Sequence, residues 1–170
     1  MKKLALLGVT VLGITSLAAC SSNSSKTTNS KSTEKSSSVA VKKVDNSKFD
    51  TIVNELKKDF DKDNEGLITT KIENDVIDSD FPKGHTIIKV MTTNKSTDNI
   101  KNMLDDINGN TATDSQKLGI QAIRQEVSDV AKKLPDNTTE INFGYAIDSD
   151  NTQLVAASTK VKDIIPIVVN

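Results

Sequence analysis

Hydrophobic and polar positions divide this chain into three stretches of unlike texture. Residues 4–19 are apolar or small: Leu4 to about Ile14 is interrupted only by Gly8, Thr10 and Gly13, and Leu17-Ala18-Ala19 ends the stretch. Residues 21–46 read SSNSSKTTNSKSTEKSSSVAVKKVDN and carry hydrophobes only at Val39–Val41 and Val44. From Ser47 onward the pattern becomes periodic. Phe49, Ile52, Val53, Leu56 and Phe60 recur at spacings of three and four, which predicts an amphipathic helix with Ser47 as its N-cap. The polar run 61–66 ends it. Leu67–Glu73, rich in Ile and Thr, predicts a strand, and Thr86–Thr92 a second, with turn material and Pro82 between them.

A second helix follows, capped by Ser96, with Ile100, Met103, Leu104 and Ile107 on one face and a stop at Asn108-Gly109-Asn110. Thr113 or Asp114 opens a third, whose face is Leu118, Ile120, Ile123, Val127, Val130 and Leu134. Pro135 closes it. Glu140–Ile147 alternates as a strand, with Ile141, Phe143, Tyr145 and Ile147 to one side. Asp148–Asn151 turns the chain and Thr152–Thr159 returns as its partner. The apolar tail 164–169 contains Pro166 and reads as an edge strand or a segment packed on the core. The order α-β-β-α-α-β-β predicts an α+β two-layer sandwich, with an antiparallel sheet of about four strands and helices on one face.

The start of the chain carries the most specific signal. Lys2 and Lys3 precede the apolar stretch, and Leu17-Ala18-Ala19 places small residues before Cys20. A basic start, a short apolar core and small residues before a cleavage point make a secretory signal peptide. Sixteen residues are too few for a bilayer-spanning helix, which needs about 20. Leu17-Ala18-Ala19-Cys20 resembles the lipobox of bacterial lipoproteins. That resemblance implies a diacylglyceryl group on the Cys20 sulfur, cleavage between Ala19 and Cys20, and a mature chain held on the extracellular face of the cell membrane. Two fatty chains suffice for stable anchoring where one does not. The layout of the remainder is similar to small Gram-positive lipoprotein domains of unknown function, and the Lys/Asn/Ile-rich composition agrees with such a cell.

The polar stretch then reads as a tether. Residues 20–46 comprise the lipidated Cys20 and a segment with too little apolar surface to offset the entropy of ordering it. A flexible coil of this length spans roughly 28 Å. Five lysines against Glu34 and Asp45 give it a net charge of +3. Residues 47–170 form the domain, where 15 basic side chains face 21 acidic ones. An acidic domain argues against nucleic acid as a partner and leaves an extracellular protein or envelope ligand.

Candidate chemistry is sparse. Residues 61–73 (DKDNEGLITTKIE) resemble the calcium loop of EF-hand proteins, with acids at loop positions 1, 3 and 5 (Asp61, Asp63, Glu65), Gly66 at position 6 and Ile68 at position 8. The resemblance implies a calcium ligand set of Asp61, Asp63 and Glu65. Position 12, which should be a bidentate Glu, is Ile72, with Glu73 one residue late. The chain holds one His and one Cys, so a lipidated Cys20 leaves no thiol to pair with His85. No Gly-x-Ser-x-Gly turn, phosphate loop or dinucleotide fingerprint occurs. Asp78/Asp80 and Asp105/Asp106 are carboxylate pairs that nothing singles out for glycoside chemistry. The expectation is a non-enzymatic binding module without a cofactor, with a weak calcium site at 61–73 or a motif-less cell-envelope hydrolase as alternatives.

Overall fold

A computed structural model describes residues 44–169; the signal stretch, Ala19, Cys20 and most of the tether lie outside them. A 3-10 turn at Ser47–Phe49 leads into α1 (Asp50–Phe60), followed by β1 (Ile68–Val76), β2 (His85–Thr92), α2 (Asn94–Asn108), α3 (Asp114–Ala131), β3 (Glu140–Ala146) and β4 (Thr152–Thr159). Every segment expected from periodicity is present, in the expected order. Across the described residues the architecture is α+β, one open four-stranded sheet with three helices.

The sheet departs from expectation at its centre. Strand order is β1-β2-β3-β4, and both hairpins are antiparallel, but β2 and β3 run parallel, with Ile88 beside Ile141 and Val90 beside Phe143. The sheet is therefore mixed rather than antiparallel. Residues 93–139 explain it. They carry two helices and a final loop that brings the chain back to the starting end of β2, and such a crossover is what a parallel pair requires.

The core lies between sheet and helices. Phe49, Ile52 and Leu56 of the first helical segment meet Ile88 and Val90 of β2, Ile141 and Phe143 of β3, and Ile120, Val127 and Val130 of α3. Phe60 packs on Phe143 with ring centroids 4.5 Å apart. Phe143 is 1% exposed, and truncating such a ring costs about 3–5 kcal/mol.

Several expected details change. Ser47 caps no helix: its own backbone N–H donates to Asp45 Oδ1 (3.0 Å) and it starts the 3-10 turn. Ser96 sits in the first turn of α2, behind the N-cap Thr93, and its hydroxyl donates to Leu67 O (2.7 Å), tying the helix start to β1. Thr113 does cap α3, in a reciprocal capping box with Gln116. Leu118 and Ile147, expected on buried faces, are 63% and 62% exposed. Leu118 lies near the start of α3 and Ile147 one residue past the end of β3, where the facing layer no longer covers them. β3 buries both of its sides from Glu140 to Tyr145, as a central strand should.

Candidate functional site

The 61–66 loop is built around Asp61, which ends α1. Its Oδ1 accepts the Glu65 N–H (2.8 Å) and its Oδ2 the Gly66 N–H (3.0 Å). Asn64 and Gly66 take positive φ (54° and 74°) to bring those amides round. The Lys95 ammonium donates to Glu65 O (2.9 Å) and the Thr93 hydroxyl to Gly66 O (2.7 Å), docking the loop on the start of α2. Asp61 is buried, whereas Asp63 and Glu65 are exposed. The three acids thus do not converge. The exiting element is strand β1 rather than a helix, Ile72 lies within it, and Glu73 is taken by Lys71 (2.9 Å) and Lys89 (2.7 Å). Among the described residues no group of three or more His, Cys, Asp or Glu side chains is placed to hold a metal.

His85 occupies a more organised position. As the first residue of β2 it points under the 77–84 loop, and its side chain has no solvent exposure. Nδ1 lies 3.2 Å from Thr138 O, so this nitrogen carries the proton and donates it to the carbonyl. Nε2 lies 2.9 Å from Asp78 Oδ2 but off the ring N–H direction, so the two make no directed hydrogen bond. Phe81 stacks on the ring, centroids 4.3 Å apart and planes within 18°. The loop reaches this position because Asp78 Oδ1 gathers the backbone N–H groups of Asp80 (2.9 Å) and Phe81 (2.8 Å), an Asx turn. Gly84, at φ +86°, then closes it against the Asp75 backbone. The Phe81 amide, aided by the charge of His85, holds the Asp78 carboxyl below its ordinary range.

Beside this cluster burial pushes the Glu140 carboxyl above its ordinary value, against the opposing pull of His85 and Asn142. Opposite it, Asp136 accepts the backbone N–H groups of Thr138 (3.2 Å) and Thr139 (2.7 Å) and the Lys48 ammonium (3.2 Å). Burial alone would raise the Asp136 carboxyl, but these donors outweigh it and bring it down to about 2.

An open recess of about 340 Å³ lies where these segments meet, with Asn46, Lys48, Asn74, Asp75, His85 and Asp136 among its walls. Acceptors dominate it. The Asn46 side-chain oxygen is shielded from solvent and has no hydrogen-bond donor among the described residues. Sequence reasoning finds His85 at a strand start and no sign of its surroundings, since Asp78, Phe81 and Thr138 come from two loops. The contacts of its ring nitrogens are a carboxylate and a carbonyl, not the hydroxyl of a nucleophile.

The carboxylate pairs are likewise turned to structure. Asp78 shapes the loop, and Asp106 accepts from Gln116 between α2 and α3. Arg124 of α3, which the sequence suggests as a surface partner of Glu126 or Asp129, instead donates from Nε to Val155 O (3.0 Å) and from Nη1 to Pro166 O (3.0 Å). It clamps the C-terminal segment along the outer edge of β4, where Ile164 N and Ile165 N also bond Ala157 O (2.8 and 3.1 Å). The apolar tail is therefore an edge cover, and Val169 reaches the core.

Compared with protein-family models, curated proteins and solved structures, the chain finds no match.

Proposed function

We propose that this chain is a lipid-anchored bacterial lipoprotein whose acidic α+β domain works as a non-enzymatic binding module outside the cell, with the recess beside His85 as its ligand seat. Leu17-Ala18-Ala19-Cys20 supports the anchor. The recess carries the binding reading: it is open and its acceptor-rich walls have charge to spare, Asp45 and Asp75 standing without a basic partner at hydrogen-bond distance among the described residues. Such walls suit a ligand that brings donors and positive charge, an ammonium or guanidinium group on an envelope protein or small molecule. No nucleic acid fits an acidic surface of this kind.

Calcium at Asp61, Asp63 and Glu65 is the weaker alternative, since Asp61 would have to give up both backbone amides to ligate it. A hydrolase would need a nucleophile or water beside His85, and its ring nitrogens face a backbone carbonyl and a carboxylate instead.

Two measurements test the proposal. Cys20→Ala should leave the precursor uncut or shift the protein from the membrane fraction to the medium; a cut, membrane-bound variant would remove the anchor. Titrating the detergent-solubilised chain with 1,5-diaminopentane should raise its melting temperature, and Asp75→Asn should weaken that rise. No rise at ~10 mM diamine would remove the recess as a seat for cationic ligands.

A further inference from the structure

The two edges of the sheet are treated differently. The β4 edge is covered by its own chain, through Arg124, Lys162 O and the Ile164 and Ile165 amides. The β1 edge is nine residues long, and among the described residues no backbone or side-chain group bonds to its outer N–H and C=O groups. Exposed strand edges of this length recruit another strand unless something prevents it. The irregularity between Glu73 and Val76, with Asp75 at φ 58°, ends regular pairing beyond Glu73. It leaves Ile68–Glu73 straight and available.

We propose that β1 pairs antiparallel with β1 of a second copy of this chain, about a two-fold axis through Ile72, joining two four-stranded sheets into one of eight. Residues directly opposite in an antiparallel pair point to the same face, so a two-fold register must place a single residue on the axis. Axes from Thr69 to Glu73 fall within the straight part, and the one through Thr69 sets no opposite charges against each other. An axis through Lys71 opposes two lysines and one through Glu73 opposes two glutamates. An axis through Thr70 sets Lys71 against Thr69. Only the axis through Ile72 places Lys71 opposite the partner's Glu73 on both sides, the complementary arrangement.

That register also brings the two Ile72 side chains together. Ile72 is half-buried at the rim of the core-facing layer, packed on the core from one side only. Its partner copy would cover the other side, as isologous interfaces do. Lys71 is 73% exposed, so it can exchange its contact with its own Glu73 for the partner's while Lys89 keeps its hold on Glu73. Three residue pairs of the straight segment make a small interface, so association is weak in dilute solution. It gains if both copies share one membrane plane, a benefit that rests on the proposed anchor while the pairing itself does not.

The register is read by disulfide trapping on the full chain in liposomes and in detergent. Directly opposed Cβ atoms lie about 4.5–5.5 Å apart, close enough for Ile72→Cys to cross-link to itself under mild oxidant. Thr69→Cys and Lys71→Cys face different residues and should link at least tenfold more slowly. In a test of the same idea without added cysteine, Lys71→Glu sets glutamate against glutamate twice and should weaken dimerisation in sedimentation about tenfold or more, given up to about 1 kcal/mol per opposed pair. The exchange Lys71→Glu with Glu73→Lys should restore it, since the new carboxylate at position 71 then faces Lys89 within its own chain. Three results overturn the proposal: monomer at every density, faster trapping at position 71 than at 72, or a Lys71→Glu dimer as tight as the original. Monomer would mean the edge takes an extended peptide of another chain or stays bare.

Discussion

Gly144 stands at the break in register between β3 and β4, where Phe143 faces Ala156 and Gly144 faces Leu154. A Cβ placed there would lie 2.2 Å from Gln153 O and 3.2 Å from Leu154 Cα. Both obstacles are backbone, so relief requires a backbone shift in β4, a strand whose outer side is already clamped by Arg124. Overpacking of a tight site costs about 1–3 kcal/mol and more where the backbone must shift; for Gly144→Ala about 3 kcal/mol is expected. At roughly 4 °C per kcal/mol for a domain of this size, the melting temperature should fall by about 12 °C. Gly119 supplies the internal contrast. It lies mid-helix in α3, and its added Cβ would meet only Met103, its Sδ at 3.1 Å, the far end of a flexible thioether. The helical gain of Ala over Gly, about 1 kcal/mol, should then cover any adjustment. Gly119→Ala is expected to melt at or above the wild-type temperature. The assay is thermal unfolding by circular dichroism, with all variants at one concentration. Equal losses for the two substitutions, or a Gly144→Ala drop under about 4 °C, would refute the reasoning that backbone rather than side-chain contact sets the cost.

Three other outcomes can be measured on the same preparations. Asp136 lies near pH 2 in the folded state and near 4 when unfolded, so its stabilisation is complete above about pH 4 and is lost as pH falls toward 2. The depression equals about 2.5 kcal/mol before screening, and with the carboxylate 35% exposed about 1 kcal/mol should remain. Asp136→Asn should therefore flatten the acid limb of the stability curve, and an unchanged limb would contradict it. Arg124→Met keeps the apolar stem but removes both clamping bonds; hydrogen exchange at Ile164 and Ile165 should accelerate at least tenfold while α1 is unaffected. Asp61→Ala frees the Glu65 and Gly66 amides and should cost about 2 kcal/mol, whereas ~10 mM calcium should leave the wild-type melting curve in place. A calcium-dependent rise would mean Asp61 releases its amides for the ion.

Local rules carry the reading of this domain a long way. Phe49, Ile52 and Leu56, then Ile120, Val127 and Val130, fall on buried faces because a helical period of 3.6 leaves little choice about which side meets the sheet. Thr113 caps α3 as its position implies. What stays hidden depends on contacts between distant residues. The parallel pairing of β2 with β3 is decided by where the 93–139 connection ends, which no local window contains. The sequence marks Asp61, Asp63 and Glu65 by type and spacing. Spacing is silent on the competing donors, and here the backbone amides of Glu65 and Gly66 reach Asp61 first. His85 is the converse case. Isolated in the sequence, it becomes the best enclosed titratable side chain of the recess because a loop from one side and Thr138 from the other close on it. Arg124 is equally unreadable, since its two acceptors are carbonyls, and every residue has one.

The parallel centre of the sheet also sets an order of assembly. The β1–β2 and β3–β4 hairpins close short loops, whereas β2 can meet β3 only after residues 93–139 have been gathered in. Each doubling of loop length adds about 0.6 kcal/mol of closure entropy, so this one costs roughly 1.5 kcal/mol more than the short link between β1 and β2. Two hairpins should thus form early and wait for α2 and α3 to bring them side by side. The seam between Ile88 and Ile141 would be the last part of the sheet to close and the first to open, and the slowest-forming line in the molecule runs through the middle of its core.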